Sequence, residues 1–367
     1  MRYCALYLLR YNYKQLTGQN KDMSVIDDLK YIHQKDTSDA LGIAAKQWQQ
    51  LEHVFDVTPM NFPVENIVFS GMGGSALSAL LAKTWPSFSL PFEVTRGYTL
   101  PHYVNNKTLV IASSYSGNTE ETLSALEEAV GKKAHVVCVS AGGALKDRAA
   151  EYNIPWVELP KASQPRFATL YSFKAFVTIL ERAGLVATDS AEKEIHSASE
   201  FLKKHIDAWA STVPVQKNPA KKLALDIIGL SPVIYAGPLM APIAYKWKIS
   251  INENAKHVAW WNEYPEFNHN EFLGWSSHPI DKPYAVIDLR SSFEHERIQK
   301  RFDLSARLLS GKRPAPYSVH AQGDTPLEHM LYLMAFGDFV SLYMGLLNGL
   351  NPTPVELIEK FKAELNR

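Results

Sequence analysis

A short β-rich run that ends in glycine and opens into a helix occurs twice in this chain, at 66 to 85 (NIVFSGMGGSALSALLAKTW) and at 232 to 250 (PVIYAGPLMAPIAYKWKIS). Each repeat is followed by more of the same grammar. After the first come strand-like runs at 92–97, 108–114, 135–140 and 154–159, with a helical stretch at 119–130. After the second come 284–290 and 316–323, with helical stretches at 240–255 and 326–349. Apolar strands alternating with helices, without hairpin-type turns between them, predict βαβ units and parallel sheets. The expected fold is therefore α/β: two related doubly wound domains, each a mostly parallel sheet flanked by helices, plus a C-terminal helix. The boundaries that follow are 23–187 for the first domain, 188–215 for a charged helical linker, 216–350 for the second domain and 351–367 for the last helix. Residues 38–56 also alternate at helical spacing. Thr353-Pro354-Val355-Glu356 reads as a capping box with proline at the first helical position, opening the last helix.

With 367 residues, two domains of ordinary size can each bury a core. The 38 basic and 38 acidic side chains cancel, so no overall field draws the chain to nucleic acid or an anionic membrane, and an anionic ligand needs a local site. Only Cys4 and Cys138 occur, too few for a disulfide framework, which fits a reducing cytoplasm. Cys138 lies in an apolar run and reads as core. The opening segment lacks the long apolar region and small-residue cleavage site of a signal peptide, and no membrane span is expected. The pattern from Met23 onward reads as a natural beginning, so residues 1–22 are read as an extension of uncertain origin.

Gly71-Met72-Gly73-Gly74-Ser75 follows the first strand, and Ser114-Tyr115-Ser116-Gly117-Asn118-Thr119 follows the third strand-like run. Both turns fall at the carboxyl ends of strands, where open α/β sheets bind ligands. Glycines permit close backbone approach, N–H groups at a helix start point outward, and hydroxyls add short donors, so together they form an anion cradle. Either turn alone is more often a glycine turn with a serine cap; two in one sheet favour the cradle. Gly71-x-Gly73-x-x-Ala76 also satisfies a dinucleotide template, but Arg96-Gly97 stands where that reading wants an acidic residue. No cofactor is expected.

A second concentration of chemistry spans Ile251-Asn252-Glu253-Asn254-Ala255-Lys256, after the helix that opens the second domain, and Pro265-Glu266-Phe267-Asn268-His269-Asn270-Glu271. Ionisable and amide side chains among Trp260, Trp261 and Tyr264 suit a site better than a solvated face or a plain core. Taken alone, His269 with Glu266 reads as an ordinary polar pair. No H-E-x-x-H or cysteine pair is present, so no metal site of usual spacing is expected.

The S-x-S-G-x-T loop at 114–119 resembles the sugar isomerase (SIS) domain signature. The runs INENAK and PEFNHNE are similar to the bifunctional phosphoglucose/phosphomannose isomerases, and the resemblance extends from about residue 40 to the C-terminus. It implies two SIS-type domains in a cytoplasmic homodimer acting on a sugar phosphate, with neither nucleic acid nor membrane as partner. By position, it implies that Gly74, Ser75, Ser114, Ser116 and Thr119 hold the substrate phosphate. Glu253 matches the catalytic base, and His269 the ring-opening histidine, supplied from the neighbouring subunit. Arg166 matches the arginine that stabilises the enediolate, and Lys362, with Lys360 as the alternative, the lysine of the C-terminal helix. The residue chemistry agrees: ring opening suits a histidine, and a carboxylate walled off from water by Trp260, Trp261 and Tyr264 suits transfer between C2 and C1. A fixed guanidinium suits the negative enediolate. The alternatives are a non-catalytic SIS sugar-phosphate-binding module and an aminosugar-phosphate isomerase on the same fold. Such binding modules usually carry a helix-turn-helix, for which the N-terminal segment is too short and too little basic.

Overall fold

The computed structural model describes residues 24–86, 89–186, 188–277 and 281–365. The N-terminal extension, residues 1–22, lies outside them. Two short helices, α1 (Leu29–Lys35) and α2 (Ala40–Ala45), come first. The predicted helical run at 38–56 is broken: α2 stops before Lys46, and a 3-10 turn, Gln47–Glu52, follows. The start of α2 is set by Asp36, whose carboxylate accepts the N–H groups of Ala40 and Leu41 at 2.8 and 2.9 Å.

The chain then divides into two compact units. The first, residues 46–203 with 324–328, holds β1 (Asn66–Ser70), α3 (Gly73–Ala82), β2 (Phe92–Thr95), β3 (Thr108–Ser113), α4 (Glu120–Gly131), β4 (His135–Ser140), α5 (Gly143–Glu151), β5 (Trp156–Glu158) and α6 (Thr169–Arg182). Its five strands are parallel in the order β2-β1-β3-β4-β5. Every residue of β3 is buried, as a central parallel strand covered on both faces requires. One face packs Val68, Val110 and Cys138 against Leu126, Ala129 and Leu145. Cys138 is buried and free, its thiol pushed up to about 12 by burial, so it serves as core. On the other face the Phe69 ring meets Phe176 of α6 at 5.2 Å.

The boundary between the units falls within α7 (Thr188–Ile206), at Lys203. The second unit comprises the described residues up to Ala45, with 204–323 and 329–365. It contains α8 (Pro219–Ile227), β6 (Ser231–Ala236), α9 (Ala241–Ala255), β7 (Trp260–Glu263), α10 (Glu271–Gly274), β8 (Tyr284–Arg290), α11 (Glu296–Leu308), β9 (Tyr317–His320), α12 (Pro326–Leu347, from His329 on) and α13 (Glu356–Leu365). Its four strands are parallel in the order β7-β6-β8-β9, the same neighbour order as the first four strands of the other sheet. Helix α12 is long and apolar enough to cross a membrane, yet 94% of its most apolar window is buried, as expected of a core helix. The predicted capping box is not formed. α13 begins at Glu356, and the carbonyl of Val355 accepts from Ile358 and Glu359, so Pro354 precedes the helix.

Candidate active site

The two hydroxyl-rich turns of the first unit meet. Gly73 adopts φ +50°, and Ser75 sits in the first turn of α3, where its hydroxyl accepts the N–H of Tyr115 at 3.1 Å. In the second turn the Ser114 hydroxyl lies 2.8 Å from that of Thr119 and 3.5 Å from that of Ser116. It also accepts the Gly117 N–H at 3.1 Å. Thr119 is the residue before α4, but its side chain does not cap that helix. Gly117 has φ +73°, and a Cβ there would lie 1.8 Å from the carbonyl oxygen of Gly142, so only glycine fits.

Arg166 joins this arrangement from about 50 residues further along. It is buried in a 3-10 turn, Pro165–Phe167, whose backbone lies against the start of α3: a Cβ on Gly74 would sit 3.6 Å from the Arg166 nitrogen. The preceding segment is pinned by Tyr115, whose hydroxyl donates to the carbonyls of Pro160 and Ala162, each at 3.2 Å. Gln50 holds the other side, donating to the Phe167 carbonyl at 2.7 Å. Gly74, Ser75, Ser114, Ser116, Thr119 and Arg166 thus belong to one unit. Tyr115 ties these segments together, its backbone N–H to Ser75 and its hydroxyl to the 160–162 segment, a structural role that its place in the S-x-S-G-x-T loop does not reveal.

Glu253, His269 and Lys362 belong to the other unit. Glu253 lies in the last turn of α9, inside the helical stretch at 240–255, because the left-handed cap comes only at Lys256, φ 50°. Its side chain is half-buried. The flanking residues are anchors: Asn254 donates to the Ser341 hydroxyl at 2.9 Å, and Lys256 donates to the carbonyls of Glu253 and Pro352 at 2.8 and 2.7 Å. Earlier on the same helix, the Lys246 ammonium pairs with Asp338 at 2.6 Å inside the core. His269 closes the 3-10 turn Glu266–His269 and is exposed. The pairing of His269 with Glu266 is not made; Glu266 accepts from the amide of Asn270 instead. Lys362 lies on the exposed helix α13, 3.0 Å from Glu359, and Lys360 is exposed on the same helix.

The expected water-excluding wall of Trp260, Trp261 and Tyr264 is only partly built. Residues 260–263 form edge strand β7, so their side chains alternate; Trp260 is 51% exposed and Trp261 packs on Tyr245 at 5.6 Å. Tyr264 turns fully into the unit's core, against Phe302 at 4.4 Å and Phe267 at 5.1 Å. Among the described residues, no group of three or more His, Cys, Asp or Glu side chains gathers as a metal site.

Two units, each a parallel sheet flanked by helices, make a fold that solved structures share. A glucose-6-phosphate isomerase like protein from Thermus thermophilus superposes with a TM-score of 0.63 at 20% identity, covering 92% of this chain and 99% of that one. Residues 216–365 match the family model described as the bacterial phospho-glucose isomerase C-terminal SIS domain. The chain is 35% identical to the bifunctional phosphoglucose/phosphomannose isomerase of Aquifex aeolicus over 83% of its own length and 92% of that protein's. It is equally 35% identical to the enzyme of the same description from Caldicellulosiruptor bescii, over 82% and 90% of the two chains. The chain belongs to the bifunctional phosphoglucose/phosphomannose isomerase family.

Proposed function

We propose that this protein is a cytoplasmic aldose-ketose isomerase that interconverts glucose 6-phosphate and mannose 6-phosphate with fructose 6-phosphate through a cis-enediolate, without a metal or cofactor. The observation that carries the reading is the Ser75–Tyr115–Ser114–Thr119 hydrogen-bonded cradle in a chain of this family. Its donors are neutral hydroxyls and backbone N–H groups, and an anion at such helix starts gains from the helix dipole. The phosphate is held there by Gly74, Ser75, Ser114, Ser116 and Thr119.

His269, supplied across a homodimer, moves the anomeric hydroxyl proton to the ring oxygen and so breaks the C1–O5 bond. Glu253 takes the C2 proton and returns it to C1, while the hydroxyl proton passes between O2 and O1. Arg166 stabilises the enediolate charge between the two transfers, a role commonly worth about 3 kcal/mol. Lys362 assists at the substrate oxygens. Because the intermediate has lost the C2 stereocentre, protonation on either face yields the gluco or the manno epimer.

The test is a coupled assay of the purified protein with fructose 6-phosphate and chelator present, detecting glucose 6-phosphate and mannose 6-phosphate separately. Glu253→Gln is expected to lower turnover by about 10³-fold or more while leaving fructose 6-phosphate affinity unchanged. Full turnover in that variant removes Glu253 as the base. Loss of wild-type activity with chelator, restored by added metal, removes the metal-free mechanism.

A further inference from the structure

The run Glu266-Phe267-Asn268-His269-Asn270-Glu271 is tied down on both sides of one free imidazole. Phe267 is fully buried, its ring 4.5 Å from Tyr235 and 5.1 Å from Tyr264. Next to it, the Asn268 amide is used at both ends: its nitrogen donates to the Ser305 hydroxyl at 3.0 Å, and its oxygen accepts from the Arg301 guanidinium at 3.0 Å. Ser305 and Arg301 stand one helical turn apart on α11. On the far side, Glu271 is a two-pronged clamp. One oxygen accepts the Tyr235 hydroxyl of β6, and the other accepts the Asn262 amide of β7 at 2.7 Å. Tyr235 is itself fixed, accepting from the Trp275 indole at 3.0 Å. His269 alone in this run is a charged or polar side chain with no hydrogen bond or ion pair among the described residues, and it is exposed.

From this geometry we infer that Asn268 and Glu271 are positioning residues for His269: they fix the backbone on either side of it to α11 and to the sheet, so that the imidazole is presented in one place while remaining free to bond substrate. This rests on the reading of His269 as the ring-opening residue. The energetic logic is that of preorganisation. A proton carrier on a loose loop must be ordered during the reaction, and a displacement of about 1 Å costs roughly 100-fold. The two anchors act in different directions, Asn268 toward a helix and Glu271 toward two strands, which restrains rotation of the segment as well as translation.

Ring opening is separable from isomerisation, because α and β anomers of glucose 6-phosphate exchange through the open chain without any change at C2. In the full chain carrying Glu253→Gln, exchange NMR on 1-¹³C-labelled glucose 6-phosphate reads ring opening alone. The Glu253→Gln protein is expected to accelerate anomer exchange, and added His269→Ala to abolish that acceleration. Added Asn268→Leu or Glu271→Gln should lower it about 10- to 100-fold with fructose 6-phosphate affinity held within about 2-fold. Asn268→Asp keeps an acceptor for both Arg301 and Ser305 and should restore most of the exchange. Undiminished exchange in Asn268→Leu and Glu271→Gln, with His269→Ala inactive, overturns the positioning role and leaves the His269 reading standing. Exchange unaffected by His269→Ala overturns that reading itself. Loss of affinity in step with loss of exchange, in Asn268→Asp as much as in Asn268→Leu, also overturns the proposal, since it marks general damage.

Discussion

The two strand-glycine-helix turns have the same topology and opposite interiors. β1 and β6 hold corresponding places in their sheets, each between its second and third strands in sequence order, and each leads into a helix, α3 or α9. At the first turn a Cβ on Gly71, which directly follows β1 as Gly237 follows β6, would fall 2.8 Å from the Ser113 backbone carbonyl oxygen, whereas a Cβ on Gly73, the first residue of α3, meets no described atom within 4 Å. At the second, the loop after β8 sends in the carboxylate of Glu294, which accepts the Met240 N–H at 3.1 Å at the start of α9. A Cβ on Gly237 would fall 2.4 Å from that carboxyl carbon. A helix start with free N–H groups attracts an anion in either case. In the second unit the Glu294 side chain takes that role; in the first, the proposed function gives it to the substrate phosphate. On that proposal a duplicated fold need not carry a duplicated site, because a single carboxylate from the third strand's loop answers the same donors.

The sharpest way to break the contrast is to give the first turn what the second already has. Ser116→Glu places a carboxylate beside the cradle, and repulsion of unit charges about 4 Å apart amounts to several kcal/mol even at an effective dielectric of about 20. The expected result is at least a 100-fold loss of fructose 6-phosphate affinity by calorimetry, with melting temperature little changed. Unaltered affinity would mean that the phosphate binds elsewhere.

Acid-base behaviour tests the other turn. Burial pushes the Glu294 carboxyl up from 4.5 to about 7, against the opposing donation from Met240 and Leu239. Its folded pKa therefore lies above its unfolded one. The associated stabilisation is complete below about 4.5 and is lost as pH rises through about 7. Between pH 5 and 8 this one group should lower the unfolding free energy by about 2 kcal/mol. Glu294→Gln retains an acceptor for the Met240 N–H and removes the titration, so urea unfolding of that variant should be flatter with pH than the wild type. An identical pH slope would show that Glu294 does not titrate differently on folding.

The smallest effect is expected from trimming the open turn. Ser114→Ala removes the hydroxyl that links Thr119, Ser116 and the Gly117 N–H, which should cost about 1 kcal/mol of substrate affinity, or roughly 5- to 10-fold in KM, with kcat nearly preserved. A fall in kcat with KM unchanged would assign Ser114 to the chemistry instead of the phosphate.

Much of the fold could be read from local pattern. β1, β3, β4, β6 and β8 lie within the β-rich runs because continuous apolar character is what burial on both faces demands. β7 could not be read this way, since Trp-Trp-Asn-Glu has neither alternation nor an apolar run; it is a strand because β6 offers it an edge to pair with. The start of α2 at Ala40 and the late start of α13 at Glu356 likewise depend on which carbonyls and carboxylates accept the first N–H groups. Periodicity does not record that choice. The two glycine- and hydroxyl-rich turns were legible because glycine and serine act on their own backbone within a few residues.

The sequence by itself determined the α/β grammar, the two related units and the glycine- and hydroxyl-rich turns, all properties of interactions reaching a few positions along the chain. Only the tertiary structure decided that Tyr115 bridges the two turns, that Arg166 packs against the start of α3, that Tyr264 faces a core, and that Glu294 closes the second turn. The reason is physical: each of these rests on a contact between segments about 40 to 90 residues apart, and a hydrogen bond or a packed ring across that distance leaves no periodic mark on the sequence.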